Sequence, residues 1–533
     1  MKSIIKKTID KTLTDLKLPN VEYNLQIPKN KENGDLSTNL AFVLSKHIKK
    51  NPMDTASIIV EELNKVKIYN DINIASPGFI NFTINPDIII DNLNIIIEKN
   101  ESYGKNNSGN GQKVLLEFVS ANPTGPLTVG HGRGAILGDC LNRILTWNGY
   151  TVDTEYYYNN AGRQMKKLAE SVEARYLELN NLPFSFPDDG YQGNYIIDIA
   201  QEISNQKKRD FDTNDFKDYA EKYIFKQINN TLNELNIEFN SFFNESDLYK
   251  NKSIDKVIAK LKKQKLIYEK DGATWFEGTK VGRENDRVLI KNTGEPTYRL
   301  PDMAYHVTKF ERGYDLIIDI FGADHMDAYP DVLEVLKQLS YDTNKVKVLI
   351  HQFVSILQNG ETMKMSTRKA NFITLNKLIK EVGVDAVRYF FIMRSMNSHL
   401  NFDLDIAKEK SEKNPVYYIQ YAHARICTIL NKNEIETKNA NLKLLNNKDD
   451  ILIINNLVNF EEVILKLKDN LEPQILSNYL YDLATKFHKY YAHNRIITDD
   501  EELTKARMIL IKSVRIIIKN GLNILGISYP ESM

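Results

Sequence analysis

Thr128 and His131 stand three residues apart in PLTVGHGRGA, residues 126–135. At that spacing on a helix entrance, a hydroxyl and an imidazole face the same side and can donate hydrogen bonds to one ligand. Their chemistry suits a phosphate whose charge changes during reaction. A second set lies in LQNGETMKMSTRKANFITL, residues 357–375, where Lys364, Arg368 and Lys369 gather with Ser366 after the turn residues Asn359 and Gly360. That stretch has no apolar stripe, so it reads as an exposed loop whose cations suit a departing phosphate group. Each set also has a plain reading. Thr128 can simply cap a helix with His131 in solvent, and the lysines can simply be a solvated basic loop.

The elements that must position the first set are legible around it. Val114 to Val119 is a short β-branched run that predicts a buried strand, and the loop that follows carries Pro123, Gly125 and Pro126. A helix is predicted from near Gly130, since Ile136, Leu137, Leu141, Ile144 and Leu145 recur three and four apart. The order strand, tight loop, helix N-terminus holds phosphate, because the first turn offers unpaired N–H groups and the positive end of the dipole. Gly130, Gly132 and Gly134 would let a flat ligand such as adenine lie against the backbone.

A chain of 533 residues, 42% hydrophobic and 26% charged, is an ordinary globular composition with room for about three domains. Lysine plus arginine and aspartate plus glutamate are 70 each, so no global field draws the chain to polyanions and any such site must be local. Cys140 and Cys427 are far apart in apolar helical patterns, which gives neither a disulfide framework nor a zinc spacing and fits a reducing cytoplasm. MKSIIKKTIDKTL has helical spacing with aspartates among its lysines, unlike a secretory signal. No uninterrupted apolar run reaches the ~18 residues of a membrane span.

The composition divides the chain. Residues 1–105 mix helices with the strand-like GFINFTI, and ESYGKNNSGNGQK (101–113) reads as a linker. Residues 106–375 alternate strands and helices, as in a parallel sheet with crossover helices. Within them, about 160–265 turns charged and helical, which predicts an insertion on the sheet and not part of it. The strands ATWFE, RVLIK, LIIDIFG and KVLIHQF then resume the alternation. Residues 376–533 read as an all-α domain.

Taken together, PLTVGH and the later KMSTR resemble the paired HIGH and KMSKS signatures of class I aminoacyl-tRNA synthetases. The surrounding EFVSANPTGPL, GHGRGA and KMSTRKANFITL resemble the arginyl-tRNA synthetases in particular, as do GEPTYRLPDMAYH, DIFGADH, GVDAVRYFFIMRS and PVYYIQYAHARI. The resemblance runs from about Gly34 to the terminal GISYPESM. It implies a Rossmann-like α/β catalytic domain with a helical insertion, an N-terminal α+β domain that touches the outer corner of tRNA, and a helical DALR-type anticodon-binding bundle.

The implied activity is a two-step ligation. The arginine carboxylate attacks the α-phosphate of ATP, and a ribose hydroxyl at the tRNA 3′ end then takes the arginyl group. The implied partners are L-arginine, ATP with its accompanying Mg2+, and tRNA(Arg), for a cytoplasmic monomer without zinc or a membrane. Members of this family activate the amino acid only with tRNA bound. By resemblance, Thr128 and His131 stabilise the α-phosphate, Lys364 and Arg368 the leaving diphosphate, and Ser366 shapes the mobile loop with Met365 beside the nucleotide. Ala121, Asn122, Pro123, Thr124, Gly125, Pro126, Leu127, Val129 and Gly130 form the floor under ATP, with Gly322, Asp324 and His325 toward ribose or adenine. Two positions depart from the usual signatures. Thr128 replaces the first histidine and cannot carry charge, so a catalytically impaired tRNA-binding paralogue is the alternative reading. Arg368 answers the later lysine and keeps the charge.

A guanidinium is recognised best by planar carboxylates and an aromatic ring. The resemblance points to Glu117 and Asp302 for that role, Tyr298 for the ring, and Ser120 and Asn122 for the amino acid's polar groups. The plain reading of Asp302 is a cap on a helix opened by Pro301. For tRNA, the clusters Tyr417, Tyr418, Tyr421, His423, Arg425 and Phe487, His488, Tyr490, Tyr491, Arg495 join rings to cations. Of these, Tyr421, Arg425, Tyr491 and Arg495 are the expected contacts, although at three-and-four spacing such tyrosines also pack a bundle.

Overall fold

The computed structural model describes all residues except 1, 27, 29, 207–210, 364–372 and 434, with the side chains of residues 3, 4, 31 and 325 also outside the described set. Lys364, Met365, Ser366 and Arg368 therefore lie outside the described residues, as does the side chain of His325.

The N-terminal region packs the helices Lys2–Asp15, Leu40–Ile48, Pro52–Leu63 and Pro86–Lys99 with a four-stranded antiparallel sheet. Local chemistry sets its helix starts. Asn51 and Asn85 each accept a hydrogen bond from the N–H two residues on, and a proline follows each as the first helical residue. Ile5, Ile9 and Leu13, spaced four apart, are each at most 2% exposed. The polar stretch after Ser102 is ordered by backbone bonds from Asn106 to Trp147 and from Gly109 to Asn148.

The central region is built on β1 (Lys113–Glu117), α1 (Val129–Trp147), β2 (Thr151–Tyr158), β3 (Ser241–Asn244), α2 (Arg299–Glu311), β4 (Leu316–Gly322), α3 (Tyr329–Gln338) and β5 (Val346–His351). The strands form one parallel sheet in the order β5-β4-β1-β2-β3. Val114, Leu115 and Leu116 are fully buried, as expected of a strand covered on both faces. The chain leaves β1 in one direction toward β2 and returns on the other side as β4. The β1/β4 boundary is therefore the switch point at which open α/β sheets hold ligands.

Three sequence expectations change in detail. The insertion is not only an ornament on the sheet, because β3 belongs to it and pairs with β2 as the edge strand. ATWFE and RVLIK leave the parallel sheet and join Ile267–Lys270 in a separate antiparallel sheet with its own core, including Leu261, Phe276, Leu289 and Leu336. The short turns that link these strands allow antiparallel pairing and are too short for a parallel crossover. After residue 375 the chain is not wholly helical. Leu400–Asp403 pairs parallel with Val354–Gln358, next to α4 (Val384–Ile392).

Beyond it, α5 (Pro415–Lys432), α6 (Gln474–His493) and α7 (Glu501–Ile524) pack around Ile419, Leu480, Leu483, Leu510 and Ile517, all fully buried. Arg388, from DAVR on α4, is wholly buried at the junction. Its guanidinium donates to the carbonyls of Leu525 (3.0 Å) and Leu235 (2.8 Å) and to the Asp139 carboxylate on α1. One side chain thus ties α1, the insertion and the end of α7 together. Among the described residues, no helix is long and apolar enough to cross a membrane.

Candidate active site

The strand expected to run to Val119 ends at Glu117, because Val119 and Ser120 adopt φ of 67° and 42°. Left-handed backbone at a β-branched residue is strained by about 1–3 kcal/mol and persists only where the surroundings hold it. Here they do. Ser120 Oγ donates to Glu117 Oε1 (2.8 Å) and accepts from the Tyr157 N–H (3.1 Å), and the Tyr156 hydroxyl donates to the Ala121 carbonyl (2.7 Å). Further along the loop, Asn122 donates to Gln164 (2.6 Å) and Tyr195 of the insertion donates to the Thr124 carbonyl (2.8 Å). Gly125 is bare because a Cβ there would meet the Tyr195 hydroxyl at 3.1 Å. The loop from Ala121 to Leu127, with Pro123 and Pro126, is thereby fixed at the mouth of β1.

Thr128 is the N-cap of α1. Its Oγ1 accepts from the His131 N–H, and His131 Nδ1 accepts in return from the Thr128 N–H at 3.2 Å. Burial pushes the His131 imidazole below its ordinary pKa, with Asp324 pulling weakly the other way, so the ring is neutral. An acceptor at Nδ1 puts the ring proton on Nε2, which is then the donor free for a ligand. The plain reading of Thr128 as a cap is therefore correct, and the same contact fixes the histidine tautomer. The first-turn N–H groups of Val129 and Gly130 have no intrahelical acceptor and face the same entrance.

The glycines divide by role. A Cβ on Gly130 would meet nothing nearer than Thr128 Oγ1 at 3.7 Å, so that position is open. Gly132, expected to admit a ligand, instead admits Leu375, whose Cδ1 would lie 2.5 Å from an added Cβ. Gly134 faces His351 Nε2 at 3.0 Å. Burial pushes His351 down to about 4, so it too is neutral beside the switch point. Arg133 of the same motif turns inward, donating to the carbonyls of Gln352 (2.7 Å), Ser398 (2.9 Å) and Ser395 (2.9 Å). It anchors α1 and does not face the entrance. Gly322 ends β4 and Asp324 lies in the turn directly after it, across the switch point from the β1 loop.

Lys364 and its neighbours are not described, but the chain on their C-terminal side is. Thr374 pairs with Thr128 in an isolated antiparallel bridge, and the Leu375 N–H donates to the Leu127 carbonyl at 2.8 Å. The second segment thus ends against the entrance of α1.

Strand register puts Asp319, Glu117 and Glu155 side by side across β4, β1 and β2. Above this row, α2 presents His306, Lys309 and Arg312 at steps of three. Lys309 Nζ lies 2.5 Å from Glu117 and 2.6 Å from Asp319, His306 Nε2 lies 3.0 Å from Asp319, and Arg312 grips Glu155 through both terminal nitrogens at 2.6 and 2.8 Å. Burial and the Lys309 ammonium push His306 down, yet Asp302 and Asp319 outweigh them and hold it up at about 10. The imidazolium therefore donates to Asp319 from one nitrogen and to Asp302 Oδ1 (3.0 Å) from the other. Burial raises Glu117 and lowers Lys309, while each opposes the other's shift. We take the ammonium as charged, lifted by Asp319 and Glu117.

The helix carrying Asp302 opens at Arg299 with Tyr298 as its cap, so Pro301 falls within the first turn, where no N–H is needed. Tyr298 and Asp302 are then one turn apart, with Tyr298 63% exposed. Glu245 of the insertion accepts from the Tyr157 hydroxyl at 2.8 Å, and its carboxyl is raised by burial with Asp302 adding to the shift. A fully ionised set of Glu117, Asp319, Asp302, His306 and Lys309 carries one net negative charge, the complement of a monocation.

Three family descriptions match the chain in succession: "Arginyl tRNA synthetase N terminal domain" over residues 1–84, "tRNA synthetases class I (R), catalytic domain" over 92–396 and "DALR anticodon binding domain" over 419–533. The chain belongs to the arginyl-tRNA synthetase family. It is 48% identical to an arginine-tRNA ligase of Desulfotalea psychrophila over 523 residues, 96% of this chain and 95% of that protein. To an arginine-tRNA ligase of Salinibacter ruber it is 45% identical over 540 residues, 96% of each. The fold matches the arginyl-tRNA synthetase of Thermus thermophilus with a TM-score of 0.79, at 21% identity over all of both chains.

In this synthetase fold the aromatic clusters of the helical region part into two groups. His423, Phe487 and Tyr490 are at most 2% exposed and belong to the core. On the outer side, Arg425 donates to the Tyr421 hydroxyl (2.8 Å) and lies 4.5 Å from the Tyr421 ring and 5.0 Å from the Tyr491 ring, joining α5 to α6. Arg495 is exposed just past α6. Sequence reasoning missed His306, Lys309, Asp319, Glu155 and Arg312. For the helix residues the available signal was His306, Lys309 and Arg312 recurring at steps of three; Asp319 and Glu155 stand on strands and carry no such signal.

Proposed function

We propose that this chain is an arginine-tRNA ligase that forms arginyl-adenylate from ATP and L-arginine and passes the arginyl group to tRNA(Arg). One juxtaposition supports the reading: the capped N-terminus of α1 and the carboxylate row under α2 meet at the β1/β4 switch point. His131 Nε2–H and the first-turn N–H groups would stabilise the α-phosphate as negative charge grows on its oxygens. Lys364 and Arg368 would draw the diphosphate away, with Ser366 shaping their segment and Met365 beside the nucleotide. The loop from Ala121 to Leu127 would floor the nucleotide, and Gly322, Asp324 and His325 would border its sugar and base. Phosphoryl chemistry of this kind needs positioning more than covalent help. Thr128 stabilises the tautomer of His131, and the retained cap and Nε2 donor speak for a working enzyme.

Asp302, Glu117 and Tyr298 would hold the guanidinium, and Ser120 and Asn122 the amino and carboxylate groups. Magnesium would arrive on the ATP phosphates, which suits an ion that keeps most of its waters. Residues 1–105 would touch the outer corner of tRNA, 106–375 carry the chemistry, and 376–533 bind the anticodon through Tyr421, Arg425, Tyr491 and Arg495. One chain would suffice, acting in the cytoplasm. The test is aminoacylation with arginine, ATP, magnesium and tRNA, together with ATP-diphosphate exchange. Charging should occur, and exchange should require tRNA. Absence of charging overturns the reading, and exchange with arginine and ATP alone overturns its tRNA dependence.

A further inference from the structure

A charge cluster beside the site has no part in the roles assigned so far. Asp331, in the first turn of α3, is 1% exposed and accepts from Nε of Arg283 (3.0 Å), Arg287 (3.1 Å) and Arg299 (3.2 Å). One carboxylate answers three guanidinium groups, which leaves two positive charges in excess. A structural ion pair needs a single arginine, and holding three together works against their mutual repulsion. Neighbouring Asp286 forms no ion pair with the three arginines among the described residues; its oxygens accept from the Thr279 N–H and hydroxyl and from the Tyr268 hydroxyl.

The geometry leaves the cluster open to a ligand. All three arginines donate to Asp331 through Nε, and among the described residues no acceptor for their terminal nitrogens is found. Their side chains keep 33%, 33% and 16% of their surface. Paired terminal N–H groups match the two oxygens of a phosphate. Position supplies the second observation. Arg299 directly follows Tyr298, at the mouth of the arginine pocket, and its guanidinium lies 4.9 Å from that ring. Asp331 sits on the helix that follows the Ala323–His325 turn on the nucleotide side. The cluster therefore joins the start of the helix that carries Asp302 to the start of the helix that follows the Ala323–His325 turn.

We propose that Arg283, Arg287 and Arg299, gathered by Asp331, form a cradle for a backbone phosphate in the single-stranded 3′ end of the tRNA. This rests on the ligase reading, because only an acylated 3′ end must be brought to the mouth of the arginine pocket. The cradle reads backbone and not base, so it holds the strand in register without choosing its sequence.

The experiment compares tRNA(Arg) with the same transcript lacking its last four nucleotides, each titrated against the full-length enzyme as wild type, Arg283→Gln, Arg287→Gln and Arg287→Lys. Each glutamine variant should weaken binding of the complete transcript by about tenfold. It should leave the truncated one within about twofold, and should lower the slope of log K against log salt by about 0.7. Arg287→Lys should recover part of the loss, and KM should rise for tRNA but not for ATP. Equal losses on both transcripts, no loss on either, or a raised KM for ATP alone would overturn the cradle. Arg283, on the turn before the strand, decides the matter if the Arg287 variants melt early. Failure of the wild type to charge any tRNA with arginine would instead remove the ligase reading, while the binding comparison still reads the cradle.

Discussion

Lys309→Met removes the ammonium that sits between Glu117 and Asp319 and changes little else in volume. The lysine is fully buried, 2.5 Å from one carboxylate and 2.6 Å from the other, with the Tyr305 ring 4.3 Å from its nitrogen. After the change Asp319 keeps His306, but among the described residues Glu117 keeps only the Ser120 hydroxyl. Breaking a buried pair by removing one partner costs about 3–5 kcal/mol, since the remaining charge stays desolvated. The bare Coulomb energy would suggest far more. Part is recovered because lysine no longer has to be desolvated, and part because Glu117 can take up a proton.

The pH dependence has a definite sign. Without Lys309 the folded Glu117 is raised further above its unfolded value. A group raised in the folded state contributes stability below its unfolded pKa and loses it as pH rises through its folded pKa. The deficit should therefore shrink as the pH is lowered and Glu117 takes up its proton. Both tryptophans, Trp147 and Trp275, lie in the catalytic region, so fluorescence during urea unfolding follows that region. Lys309→Met/Glu117→Gln should recover about 1–3 kcal/mol relative to the sum of the single variants. A deficit below about 1 kcal/mol, or costs that simply add, would refute the view that these charges form one buried unit.

Three further outcomes follow from the site. His131→Ala should lower kcat for charging by about 10²–10³ with little change in KM for arginine, and because burial keeps the wild-type ring neutral, kcat should hold steady from pH 8 to 6.5. A protonation step at or above pH 6.5 would contradict the assigned tautomer. His306, held at about 10, contributes stability that is full below 6.5 and lost progressively as pH rises to 10, so the urea midpoint should fall between about pH 6.5 and pH 10, and less steeply in His306→Asn. Gly138→Ala would place a Cβ inside the Phe118 ring and should cost about 1–3 kcal/mol, whereas Gly130→Ala should leave the melting temperature unchanged and raise KM for ATP.

What the sequence made legible was local. Alternation and three-and-four spacing place β1 and α1 to within two residues, because strand burial and helix amphipathicity are written in adjacent positions. The end of β1 was misjudged at Val119, where tertiary contacts from Tyr156 and Tyr157 hold a backbone that valine does not choose for itself. Edge strand β3 was hidden inside the insertion because four residues, SFFN, carry no alternation of their own. The row of Asp319, Glu117 and Glu155 exists only once three strands are in register, and no single stretch contains it. Likewise Gly132 read as room for a ligand. Whether a missing side chain makes space for substrate or for Leu375 is decided by packing far along the chain.

The central claim is that this pocket takes arginine and delivers it to tRNA. The direct measurement is charging of bulk tRNA by the purified chain with each of several labelled amino acids in turn, lysine among them. Label should appear on tRNA with arginine alone. Incorporation of lysine or an uncharged amino acid at a comparable rate, or of none at all, would contradict the account.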